Sequence, residues 1–188
     1  MSGRRPIPQR RRIFVACEGE SEQSYVALLA RLIESHHRRV HLDIVLVQPG
    51  GGDPLAIVER AVRLLQDRVR RLGRYHAHAV LLDCDKLGLV PERDRQIAPL
   101  AARHRLHLIW QEPCHEAVLL RHIKGCERLR PADTQRAGEE LRRRCPDYRK
   151  GMPALRLMAF IGADGVRRAA RGEPALAAFL SLVEFPVG

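Results

Sequence analysis

Four short apolar segments of the chain predict the strands of a sheet. They are rich in Val, Ile and Leu, and each ends at a polar or glycine-containing turn, as is typical of buried strands. Longer segments with apolar residues at helical spacing separate them, so strands and helices alternate. The predicted strands cover residues 13–17, 40–48, 77–83 and 107–111, and the helices that follow them cover residues 22–36, 54–72, 94–104 and 117–123.

This alternation, with short connections, predicts parallel βαβ units in a three-layer α/β sandwich around a mostly parallel sheet of about four strands. Beyond residue 125 the chain becomes strongly basic and prolines recur. We interpret residues 13–125 as an α/β core, residues 126–188 as a helical appendage packed on it, and residues 1–12 as a basic arm or a solvated tail. Helices of the appendage are predicted over residues 134–144, 154–160 and 163–171.

Length and cysteine content narrow the class of protein. A chain of 188 residues is long enough for one compact domain with a sizeable core. Its five cysteines form no Cys-x-x-Cys pair, which favours an intracellular, reduced protein over a disulfide framework or a zinc ribbon. The apolar stretch after the first arginines is too short for a signal peptide or a membrane span. We therefore expect a cytoplasmic protein that does not associate with a membrane.

The charge balance favours a polyanionic partner. Lys and Arg number 33 against 22 Asp and Glu, and nearly all of the positive charge is Arg. Because arginine binds phosphate through paired hydrogen bonds and counterion release drives such association, we expect nucleic acid. Arginine enrichment from a GC-rich genome, or a solvated helix face, is the alternative. The residues best suited to phosphate are Arg142, Arg143, Arg144, Tyr148 and Lys150.

Carboxylates follow three of the four predicted strands. Glu18 comes directly after the first, Asp83 and Asp85 come at the end of the third, and Glu116 begins the helix after the fourth. Ligands of an open parallel sheet bind just beyond the carboxyl ends of its strands, and residues i and i+2 of a strand face one side. Two carboxylates held close together repel each other unless a cation joins them, and Mg²⁺ takes oxygen ligands. The pattern therefore predicts a divalent metal site.

Three of these acids also have a structural interpretation. Asp83 can cap a turn, Asp85 can pair with Lys86, and Glu18 can complement the dipole of the helix that follows it.

Two further polar segments precede helices. Ser21 is expected to be the N-cap of the first helix. Three glycines at residues 50–52 could cradle a nucleotide phosphate at the start of the second helix. Their spacing matches neither the dinucleotide fingerprint nor a P-loop, so a flexible loop is favoured.

In this order and spacing the acidic motifs resemble the TOPRIM fold of topoisomerases, primases and OLD-type nucleases, and more closely the RloB-like family of bacterial defence proteins. The resembling segments are Val-Ala-Cys-Glu-Gly-Glu-Ser-Glu at residues 15–22, Val-Leu-Leu-Asp-Cys-Asp at 80–85, Pro-Cys-His-Glu at 113–116 and Tyr-Arg-Lys at 148–150. Three positions depart from the family pattern. Glu112 stands where Asn is expected, His115 where an aromatic residue is expected, and Ser21 in place of Thr.

The resemblance implies a TOPRIM-like sheet whose acids bind Mg²⁺ or Mn²⁺, in a nuclease of an abortive-infection system that often works with an ATPase partner. Glu18 matches the general acid or base of TOPRIM enzymes, Asp83 and Asp85 match the metal pair, and Glu116 matches a further acid of the family. One alternative is a non-catalytic nucleic-acid-binding or regulatory subunit that works only with the ATPase. A nucleotide-binding enzyme built on the glycines is another, and a homodimer through the amphipathic helix at residues 22–36 is compatible with the sequence.

Overall fold

The computed structural model describes residues 10–35, 39–47 and 52–185 of the chain. Within these ranges strands and helices alternate up to the fourth strand, as the sequence predicts. Four strands and eight helices occur there: β1 Arg11–Cys17, α1 Glu20–Ser35, β2 Val40–Leu46, α2 Pro54–Leu72, β3 Ala77–Asp83, α3 Pro91–Arg103, β4 Leu106–Gln111, α4 His115–Arg121, α5 Thr134–Arg144, α6 Ala154–Leu157, α7 Ala163–Ala170 and α8 Pro174–Leu182.

The four strands form one sheet in which all neighbours are parallel, in the order β2-β1-β3-β4. β1 and β3 lie at its centre, and the apolar residues that end β1 are fully buried. Parallel neighbours need crossover connections, which α1, α2 and α3 supply. The carboxyl ends of the strands therefore meet at one edge of the sheet. The predicted α/β class with an open parallel sheet is confirmed.

Helices cover both faces of the sheet. Because alternate residues of a strand point to opposite faces, Val15 and Leu81 pack in a cluster with side chains of α1, α7 and α8, whereas Phe14 and Val80 pack with side chains of α2 and α3. This is the predicted three-layer arrangement. The first cluster includes side chains from α5 to α8, so the segment after residue 125 contributes to the main core. The division of the chain at that residue stays a prediction.

Several predicted boundaries differ from the observed ones. The predicted bounds of β3 and α5 match the structure. α3 begins earlier, at Pro91, because proline suits the first turn of a helix and Asp94 Oδ2 accepts a hydrogen bond from the backbone N of Gly88 at 2.7 Å. β1 begins at Arg11, so the basic arm predicted for residues 1–12 is two residues too long. The first nine residues of that arm lie outside the described ranges.

The sequence pattern does not predict α8. Its segment is apolar on nearly all sides and therefore lacks the periodicity of an amphipathic helix. Pro174, one of the prolines that recur in this region, occupies the first helical position. α8 buries Leu176, Phe179 and Leu180 in the main core cluster, so it is an integral layer of the fold.

Candidate functional site

A cleft of about 370 Å³ lies beyond the carboxyl ends of β1 and β3, where α1 and α4 begin. The four acids predicted as catalytic or metal-binding residues line this cleft together with Lys150. Carboxylates dominate the titratable part of the lining, which consists of Glu18, Glu20, Glu22, Asp83, Asp85 and Glu116 with Lys86 and Lys150.

Backbone hydrogen bonds fix two of these acids. Glu18 Oε2 accepts a hydrogen bond from the backbone N of Asp83 at 3.1 Å. Asp83 Oδ1 accepts one from the backbone N of His115, the first residue of α4, at 2.8 Å. The ends of β1 and β3 and the start of α4 are therefore tied together through carboxylates. The alternative interpretation of Asp83 is that it caps a turn. Its side chain does accept a backbone hydrogen bond, but from the start of α4 and not from the turn after β3.

Asp85 lies beyond the last residue of β3 and still lines the cleft. Its Oδ2 accepts a hydrogen bond from the hydroxyl of Thr134, at the start of α5, at 3.4 Å. Lys86 Nζ donates to the carbonyl of Gly52 at 3.2 Å, and within the described ranges it forms no ion pair with Asp85. The interpretation that pairs Asp85 with Lys86 is therefore wrong. The other two glycines of the predicted phosphate cradle lie outside the described residues.

The segment after α5 completes the opposite wall of the cleft. Glu116 is only 4% exposed, and its Oε1 accepts a hydrogen bond from the hydroxyl of Tyr148 at 3.2 Å. Lys150 Nζ lies 3.7 Å from the same Oε1 atom. Ser21, expected as an N-cap, lies inside α1 instead, and its hydroxyl accepts from the backbone N of Gly151 at 3.0 Å. The predicted Tyr-Arg-Lys motif therefore contacts the acids, with Tyr148 buried and Lys150 exposed.

Burial and mutual repulsion shift the titration of these groups. The pKa of Asp83 is raised to about 9, first by burial and then by the charges of Glu22, Glu18, Glu116 and Asp85. Burial also raises the pKa values of Glu18 and Glu22. Because a nearby cation favours the charged forms of these acids, the cleft is an environment in which a bound cation lowers the cost of ionisation.

The pKa of Lys150 is shifted by the same acids. Burial disfavours its charged form, but the carboxylates of Glu116, Asp83 and Glu22 outweigh that effect and raise the pKa of the ammonium group. Lys150 therefore stays protonated at the rim of the acidic cleft.

Glu22 is a member of the cleft that the sequence analysis missed. It belongs to the first turn of α1, where an acid is expected to face solvent and complement the helix dipole. In the structure it is 4% exposed, and its Oε2 accepts a hydrogen bond from the backbone N of Gly19 at 3.1 Å. Its separation of four residues from Glu18 is the one sequence signal that could have identified it.

The predicted basic run does not join this cleft. Arg142, Arg143 and Arg144 end α5. Arg143 pairs with Glu140 at 2.8 Å, and Arg144 Nε donates to Cys126 Sγ at 2.8 Å. The structure thus places these arginines on a neighbouring helix surface and leaves their role in nucleic-acid binding a prediction.

The lining suits a hard divalent cation by its chemistry, because carboxylate oxygens are the ligands that Mg²⁺ and Mn²⁺ prefer. Glu116 Oε2 is buried and has no hydrogen-bond partner among the described residues. In the same part of the chain, no three His, Cys, Asp or Glu side chains already stand together as a metal-binding group. Mg²⁺ is commonly held by one or two carboxylates and several waters, so a smaller ligand set is sufficient.

These observations define an α/β protein with an open parallel sheet and a carboxylate-lined cleft at the carboxyl ends of its strands, where sheets of this kind bind ligands. A model of the RloB-like protein family matches residues 13–172. Because this match covers most of the chain, the chain belongs to the RloB-like protein family. Searches of curated proteins and of solved structures found no match. None of the helices in the described ranges is both long and apolar enough to cross a bilayer.

Proposed function

We propose that this protein is a divalent-metal-dependent, TOPRIM-type nuclease that acts on DNA or RNA in a bacterial defence system. The observation that carries the proposal is the convergence of acids from β1, β3, α1 and α4 in one cleft with a lysine at its rim. Carboxylate pairs of this kind hold the metal ions with which many nucleases activate water. The same proposal includes a cytoplasmic location, which the cysteine content favours, and a defence role with an ATPase partner, which the family resemblance implies.

The metal ligands in this proposal are Glu18, Asp83, Asp85 and Glu116. A bound Mg²⁺ or Mn²⁺ would supply Lewis-acid chemistry, polarising a phosphodiester and lowering the pKa of a bound water. The hydrogen bonds from the backbone N atoms of Asp83 and His115 hold two of the carboxylates in place, so little reorganisation is needed on binding.

Two groups of the chain itself would act on the substrate. Glu18, which matches the general acid or base of TOPRIM enzymes, lines the cleft beside Asp83 and Asp85 and would serve in that role. Lys150 stays charged beside Glu116 and would contact a phosphate oxygen at the mouth of the cleft. The arginines of α5 would bind the backbone of the strand farther out.

The test is cleavage of plasmid, single-stranded DNA and total RNA by the full chain in Mg²⁺, Mn²⁺ or EDTA. We expect metal-dependent cleavage by the wild type and none by the Asp83→Asn plus Asp85→Asn double variant. Binding in EDTA should be retained or tightened, because negative charge leaves a phosphate site. Asp67→Asn is the matched control, since Asp67 pairs with Arg70 on the exposed side of α2.

Full cleavage by the double variant would overturn the proposed mechanism. If the wild type cuts no substrate in either metal, the protein is better described as the regulatory or binding subunit of a system whose activity requires the ATPase.

A further inference from the structure

A second, larger cleft lies at the opposite edge of the sheet. Its volume is about 700 Å³, and it opens between the amino ends of β1, β3 and β4 and the end of α8. Ala77, Ala178 and Leu182 supply apolar lining, while Arg105, His76 and His107 supply polar groups. Most of the remaining lining residues are also polar or charged, so the cleft offers charged and hydrogen-bonding groups beside a small apolar surface.

Backbone strain is concentrated in this cleft. Among the described residues, the two non-glycine residues with positive φ are Arg105 at 50° and Glu184 at 59°. Both line the cleft, and each comes directly after the C-cap of a helix, α3 and α8 respectively. Glycine normally takes that position because a side chain is strained there. Strained residues of this kind cluster at ligand-binding sites, where the surrounding structure maintains them.

Backbone hydrogen bonds hold Arg105 in its strained conformation. Its side chain has no carboxylate partner in the described part of the chain. Its N donates to the carbonyl of Ala102 at 3.1 Å, and its carbonyl accepts from His78 Nδ1 at 3.3 Å. Burial lowers the pKa of His78. Glu184, by contrast, pairs with Arg11. Arg105 is therefore the cation of this cleft that is left for a ligand.

Helix dipoles explain only part of this arrangement. Basic residues at the carboxyl ends of helices are favoured by the dipole, and this accounts for a residue such as Arg103. It does not account for an arginine at a position that favours glycine, nor for the second strained residue in the lining.

We propose that this cleft binds a nucleoside monophosphate group, either as a free nucleotide or as the 5′-phosphorylated end of a nucleic acid. Arg105 receives the phosphate, with His76 and His107 beside it, and the alanines and Leu182 pack against the base. The Glu184 carboxylate can accept hydrogen bonds from ribose hydroxyls. This site is separate from the carboxylate cleft and does not depend on the nuclease proposal.

The experiment is isothermal titration of the full chain, in EDTA, with AMP, UMP, inorganic phosphate and adenosine. A second arm compares a 5′-phosphorylated oligonucleotide with the same strand bearing a 5′-hydroxyl. We expect the monophosphates to bind about tenfold or more tightly than adenosine, because the charged contact to the arginine is lost without phosphate. Preference for the free nucleotides or for the phosphorylated strand identifies the source, and either result supports the site.

The decisive variant is Arg105→Gly. Glycine accepts the observed φ, so this variant should have a higher Tm than the wild type while its affinity for the monophosphates falls about tenfold or more. Arg103→Ala, at the exposed end of α3, is the matched control. It should keep the Tm of the wild type and its affinity for the monophosphates. Unchanged affinity in Arg105→Gly, binding of adenosine as tight as that of AMP, or no binding of any phosphate ligand would overturn the proposal.

Discussion

In the absence of metal, the aspartate at position 83 of the carboxylate cleft should make the folded protein less stable at neutral pH than an asparagine at the same position would. The perturbation that tests this is Asp83→Asn. Asparagine keeps an Oδ1 acceptor for the backbone N of His115, 2.8 Å away, and removes the ionisable group. The remaining acids, Glu18 and Glu22 among them, stay in place. Stability is therefore expected to rise in the variant, although a buried hydrogen-bonded residue has been replaced.

The size of the effect follows from the titration of Asp83. Its pKa is about 9 in the folded state, against 3.8 for an ordinary aspartate. Between these values the folded protein holds a proton that the unfolded chain lacks, so the stability of the folded state falls as pH rises. Each pH unit above the ordinary aspartate pKa lowers the free energy of unfolding by about 1.4 kcal/mol. At neutral pH the loss amounts to at most about 4 kcal/mol. For a chain of this size, that upper limit corresponds to roughly 8–16 °C in Tm.

The assay is urea and thermal denaturation in EDTA between about pH 7 and pH 8.5, a window above the ordinary histidine pKa. Asp83→Asn should be more stable than the wild type, and the difference should widen as pH rises through this window. Addition of Mg²⁺ should stabilise the wild type, by about 2.7 kcal/mol at a hundred times its Kd, and the variant much less. Asp67→Asn should follow the wild type.

A variant less stable than the wild type at about pH 8 in EDTA would refute the reasoning. A difference that does not change with pH would do the same, because it would show that Asp83 does not hold its proton in the folded protein.

Two other contacts allow sharp tests of stability. Arg121 is 1% exposed and pairs with Glu173 at 3.1 Å, so Arg121→Met should cost about 3–5 kcal/mol in urea denaturation. Arg130→Met removes the exposed partner of the same glutamate and should cost about 1 kcal/mol or less. If the two variants lost equal stability, burial of the arginine would not be what makes the Arg121 pair matter more. Tyr148→Phe removes the hydroxyl that donates to the buried Glu116 and should cost about 1–3 kcal/mol in the same assay, whereas an unchanged midpoint would show that the contact stabilises nothing.

The sequence is sufficient to predict the sheet and to bring together most of the acids that line the cleft. Apolar segments predict the strands because the buried part of a central strand is apolar, as residues 13–17 of β1 and 79–82 of β3 are. The acids could be placed together because the carboxyl ends of parallel strands meet at one edge. This rule needs no knowledge of packing, and it brings Glu18, Asp83 and Asp85 to the same cleft.

The parts that could not be predicted depend on packing between distant segments. Glu22 is 4% exposed and lies close enough for the charges of Glu116 and Lys150 to act on its pKa, and no local pattern shows this. α8 has no polar face to reveal its helical period, because it is apolar nearly throughout. The contact of Lys150 with Glu116 joins residues 34 positions apart, across the boundary at which the core was predicted to end.

The position of α8 in the main core has a consequence for folding during synthesis. The face of the sheet formed by Val15 and Leu81 shares its cluster with Phe179 and Leu180, which leave the ribosome long after the strands do. Until Pro174–Leu182 has emerged, that face is incompletely covered and exposes apolar surface. The opposite face can be covered much earlier, because α2 and α3 are made before the fourth strand. The nascent chain would thus expose one apolar face that chaperones can bind.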